Sequence, residues 1–69
     1  MIEVFKTDVQ YETEAFALIE KLRQCFPHCK INFDLQDCHR ILRIEGNNVQ
    51  AIHIIQLMTT KGYFCEALN

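Results

Sequence analysis

Sixty-nine residues, 49% hydrophobic and 23% charged, suit one globular domain: too short for a second core and too apolar for a disordered chain. Seven Lys and Arg against nine Asp and Glu leave a net charge of −2. That lacks the basic surplus a phosphate backbone requires, so no nucleic-acid partner is expected.

In chain order, Ile2-Glu3-Val4-Phe5-Lys6 alternates with period two and predicts a short strand with Ile2 and Val4 on its inner face. Thr7 followed by Gln10 has the capping-box spacing of a helix start. Ala15, Leu18, Ile19, Leu22 and Phe26 then recur at three- and four-residue steps along one helix face. Pro27 stops that helix, because it has no N–H and disfavours α geometry in Phe26 before it. Cys29 to Leu35 alternates cleanly, with Cys29, Ile31, Phe33 and Leu35 inward and Lys30, Asn32 and Asp34 outward. A polar turn over 36–39 leads into a returning strand, Arg40 to Glu45, with Leu42 and Ile44 inward and Ile41 and Arg43 outward.

After Gly46-Asn47-Asn48, Asn47 with Gln50 offers a second helix cap. Val49, Ile52, Ile55 and Met58 or Thr59 form the inner face of that helix, widened by Ile54 and Leu57. Gly62 ends it where the chain must turn left-handed, and Tyr63 to Leu68 reads as a last strand. The predicted core is Val4, Ala15, Ile19, Leu22, Ile31, Phe33, Leu42, Ile44, Ile52 and Ile55.

Strand, helix, strand, strand, helix, strand, joined by short connections and right-handed crossovers, gives an α+β ferredoxin-like βαββαβ sandwich. It has a four-stranded antiparallel sheet with both helices on one face, and the first and third strands are central. The opposite, open face would carry Glu3, Phe5, Ile41, Arg43, Phe64, Glu66 and Leu68. Four of these are large and apolar, more than a solvated face usually shows. Phe5, Ile41, Phe64 and Leu68, with Arg43 as a charged member, are therefore the expected contact for a protein partner or for a second copy.

The longest unbroken apolar run, Ala15-Phe16-Ala17-Leu18-Ile19, is far below the ~20 residues that span a bilayer. The opening residues carry an acid at position 3 and no long apolar stretch. No membrane contact and a cytoplasmic location are expected. Cys25, Cys29, Cys38 and Cys65 could in principle form a disulfide framework. They lie in or beside apolar-periodic segments, and in a reducing compartment they read as free, mostly structural thiols.

Several segments resemble heavy-metal-associated domains, the fold of copper chaperones and of the N-terminal modules of metal-transporting ATPases. Ile31-Asn32-Phe33-Asp34-Leu35 answered by Ile41-Leu42-Arg43-Ile44-Glu45-Gly46 is similar to the family's central hairpin. Ile52 through Met58, Lys61-Gly62-Tyr63 and Ala67-Leu68 are similar to its second helix and closing strand. The resemblance covers nearly the whole chain and implies the same ferredoxin-like fold. The family's two metal-binding thiolates lie on an M-x-C-x-x-C loop after the first strand. Here Lys6-Thr7-Asp8-Val9-Gln10-Tyr11-Glu12 holds no cysteine, so no metal ligand carries over. Lys61 alone matches a basic residue that lies near the metal loop in some copper chaperones.

Other ligands are sparse. Cys25, His28 and Cys29 fall at the bottom of the expected topology, and Cys38 and His39 at the top. A strand of eight or nine residues separates them by roughly 25–30 Å, too far for one tetrahedral site. An altered metal site at the top would use Asp8, Cys38 and His39; the plainer reading makes Asp37-Cys38-His39 a solvated hairpin tip. Two glycines cannot build a phosphate cradle, and Cys38 and His39, being adjacent, diverge as nucleophile and base. No enzyme activity and no cofactor are expected. An interaction module remains, with the metal-handling domain as the alternative.

Overall fold

The computed structural model describes residues 1–68. Six elements follow in order: β1 (Ile2–Thr7), α1 (Glu12–Cys25), β2 (Lys30–Asp34), β3 (Ile41–Glu45), α2 (Ala51–Thr60) and β4 (Cys65–Ala67). The four strands form one antiparallel sheet in the order β2-β3-β1-β4. This is the ferredoxin-like α+β arrangement, with α1 packed towards β2, α2 towards β4, and the helices against one another.

The helix ends follow from local chemistry. At the start of α1 the Tyr11 N–H donates to Glu14 Oε1 at 3.3 Å. Glu12 and Glu14 in the first turn and Arg23 in the last complement the helix dipole. The Phe26 N–H closes onto the Leu22 carbonyl at 2.7 Å, and Pro27 prevents a further turn. Gly62, at φ +93°, sits where a side chain would be strained. It lets its own N–H reach the Thr59 carbonyl and the Tyr63 N–H reach Met58, both at 2.9 Å, the double bond of a Schellman ending. Thr7 and Asn47 are not the caps their spacing suggested. Thr7 is the last residue of β1, and α2 begins only at Ala51, after Gln50.

Phe5, Leu42 and Ile44 from the sheet meet Leu18 and Leu22 of α1 and Ile54 and Met58 of α2, with Val9, Val49 and Cys65 closing the core. Two expectations are corrected here. β1 presents the other phase of its alternation. Phe5 pairs with Leu42 on one side and Ala67 on the other and has no exposed surface. It therefore cannot belong to an open-face contact. Glu3 pairs with Ile44 and turns the same way, while Val4 pairs with Arg43 on the open face. The row between Leu42 and Ala67 is the interior position, and the largest side chain of β1 gains most from burial there. In α2 the inner stripe is Ile54 and Met58, and Ile52 is 53% exposed. At about 100° per residue, Ala51, Ile54, Ile55 and Met58 share one arc of the helix and pack on the core, and Ile52 falls outside that arc.

Candidate functional site

At the top of the sheet, three loops are tied together by hydrogen bonds. The Thr7 N–H donates to the His39 carbonyl at 3.0 Å, and its hydroxyl donates to the Arg40 carbonyl while accepting the Val9 N–H. Arg40 is left-handed, with φ 49°. Its guanidinium donates to the Leu35 carbonyl at 2.9 Å and to the Gln10 carbonyl at 3.4 Å. From the other side, the Phe64 N–H donates to Asp8 Oδ1 at 2.9 Å. The Tyr63 hydroxyl donates to Glu14 Oε2 at 2.9 Å, and this hydrogen bond, followed by burial, holds the phenol above its ordinary pKa.

Asp8, Cys38 and His39 lie at this end but do not form a metal cage. Asp8 is engaged with Phe64, and the His39 N–H donates to Asp37 Oδ1 at 2.8 Å in a turn of the hairpin tip. Cys38 is exposed. Among the described residues no three His, Cys, Asp or Glu side chains converge on a point that could hold an ion. The four cysteines are free thiols; Cys25 is exposed, Cys29 half-buried and Cys65 buried. Burial pushes the Cys65 thiol up to about 11.

The open face is a charge mosaic. Its cross-strand rows are Lys30, Glu45 and Ile2; then Asn32, Arg43 and Val4; then the pairs Asp34 with Ile41 and Lys6 with Glu66. Three cations interleave with three anions. Arg43 is exposed as expected, but Ile41 retains only 7% exposure and offers little apolar surface. Leu68 is 37% exposed and donates its N–H to the Val4 carbonyl at 2.8 Å. Phe64 is 49% exposed and precedes β4 instead of lying within it.

A groove between α1 and β2 gathers more apolar surface. It encloses about 320 Å³ and is lined by Phe16, Ile19, Phe33 and Leu35, together with Glu12 and Asp34 and no cationic residue. Phe16 is 67% exposed, and β2 is an edge of the sheet. Sequence reading passed over this site, although it held a signal: Phe16 is a large aromatic off the inner stripe of an amphipathic helix. Among the described residues no helix is long and apolar enough to cross a membrane. Compared with protein-family models, with curated proteins and with solved structures, the chain matches none.

Proposed function

We propose that the chain is a non-catalytic protein-interaction module that receives an extended protein segment along β2. We also propose that it is a domain of the heavy-metal-associated type without the thiolate pair, working in the reducing cytoplasm with its four cysteines as thiols. The observation that carries the interaction reading is the apolar groove beside a sheet edge, with Phe16 67% exposed in its wall. An edge strand presents outward N–H and C=O groups that a new strand can pair. Alternate side chains of that strand would point into the groove, so main-chain bonds supply affinity and Phe16, Ile19 and Phe33 supply selectivity.

Panning a displayed peptide library against the purified domain, then mapping amide shifts with the best peptide, tests this. Perturbations over residues 30–34 and 12–19, abolished by Phe16→Glu, are expected. Perturbations confined to Lys6, Arg43 and Glu66 on the open face would move the contact there and overturn the groove.

A further inference from the structure

β2 carries Lys30, Asn32 and Asp34 on the open face, and Ile31 and Phe33 on the helix side. The order of charges along this edge is antisymmetric about Asn32. If a second β2 lies antiparallel beside it with Asn32 opposite Asn32, each Lys30 stands across from an Asp34 of the other copy. Each Ile31 then stands across from a Phe33. Opposite charges and apolar pairs directly across antiparallel strands are the combinations that stabilise a sheet, and like charges there oppose it. A shift of register by two residues loses both charge matches.

We infer that the occupant of the β2 edge is a second copy of this chain, paired about a two-fold axis through Asn32. This rests on the groove reading above and names its partner. The contact is isologous and closes on itself, so it stops at a dimer. The axis stands perpendicular to the sheet, which keeps both helix layers on the same side and makes one eight-stranded sheet. The two α1 helices then flank the new junction, and the exposed Phe16 of each copy, with its half-buried Phe33, closes over the seam. Asp34 Oδ1 already accepts the Gln36 N–H at 3.2 Å, which leaves its second carboxylate oxygen for the lysine of the partner.

Sedimentation equilibrium of the whole chain from about 1 µM to about 1 mM, the span in which edge pairing of this size would register, decides the matter. The wild type should self-associate. Lys30→Asp or Asp34→Lys alone turns two attractive pairs into two repulsive ones and should weaken the dimer about tenfold or more. Lys30→Asp/Asp34→Lys together restores opposite charges in the reversed sense and should recover the dimer. Both positions are exposed, and thermal melts of each variant verify the fold. A wild type that stays monomeric overturns the self-pairing; the peptide mapping then tells separately whether the groove takes another chain. A dimer indifferent to the single swaps uses a different surface, and one not recovered by the double swap has a different register; either result overturns the inference.

Discussion

Truncation of Phe5 measures which way β1 faces. The side chain has no exposed surface and is paired with Leu42 and Ala67. An aromatic side chain buries roughly 150–250 Å², which at ~25 cal/mol per Å² corresponds to about 4–6 kcal/mol as an upper bound. Measured losses for truncating a buried Phe to Ala run about 3–5 kcal/mol. At about 0.05–0.15 kcal/mol per residue, a chain of 69 residues has a total stability of about 3–10 kcal/mol. Phe5→Ala should therefore leave the domain marginal or unfolded. Phe5→Leu keeps most of the apolar volume and should cost about 1–2 kcal/mol, a loss that stays measurable. Val4→Ala, on the half-exposed open face, should cost about 0.5–1 kcal/mol. Urea denaturation followed by far-ultraviolet circular dichroism puts Phe5→Leu and Val4→Ala on one scale and shows whether Phe5→Ala folds at all. A larger loss for Val4→Ala than for Phe5→Leu would mean that Val4 faces the helices, and the register of β1 would be refuted.

Two further outcomes are expected. Stability should fall with alkali, because Cys65, raised from 9.0 to about 11, and Tyr63, also raised, keep their protons longer folded than unfolded. The contribution of the thiol is whole below about pH 9 and is lost as the pH climbs through about 11, a change on the order of 2 kcal/mol; the raised phenol of Tyr63 adds a loss of the same sign. Denaturation at stepped pH should show the limb flatten in Cys65→Ala/Tyr63→Phe. A Cβ on Gly46 would lie 2.6 Å from Cys29 Sγ, so Gly46→Ala should cost about 1–3 kcal/mol by overpacking. Adding Cys29→Ala should recover most of that loss in a double-mutant cycle.

The parts of the fold legible in sequence are those whose signals are local. Alternation from Lys30 to Asp34 assigns the faces of β2 correctly, Pro27 marks the end of α1, and Gly62 marks the end of α2. β1 offered two phases, Ile2 with Val4 or Phe5 with Thr7. The choice between them is made by Leu42 and Ala67, residues far along the chain. In α2, apolar residues at positions 52, 54, 55, 57 and 58 nearly encircle the helix, so its inward stripe is decided by how the helix docks on the rest of the core. The groove was hidden for a related reason. Phe16 gains meaning only once α1 is known to lie beside an edge strand. The left-handed Arg40 had no sequence signal, since arginine carries no special preference for that region.

The clasp at the top of the sheet also limits what this domain can be turned into. A loop that seizes and releases an ion must offer free ligands on a backbone able to rearrange around them. Here the corresponding loop is already committed to architecture: Asp8 holds the chain entering β4, and Thr7 holds the end of the hairpin. The Gln10 carbonyl takes the Arg40 guanidinium, and Val9 is sealed into the core. Transplanting a pair of cysteines to positions 8 and 11 would remove the Asp8 carboxylate that holds the chain entering β4, and the graft would meet a protein loosened at the very place where the metal must be gripped.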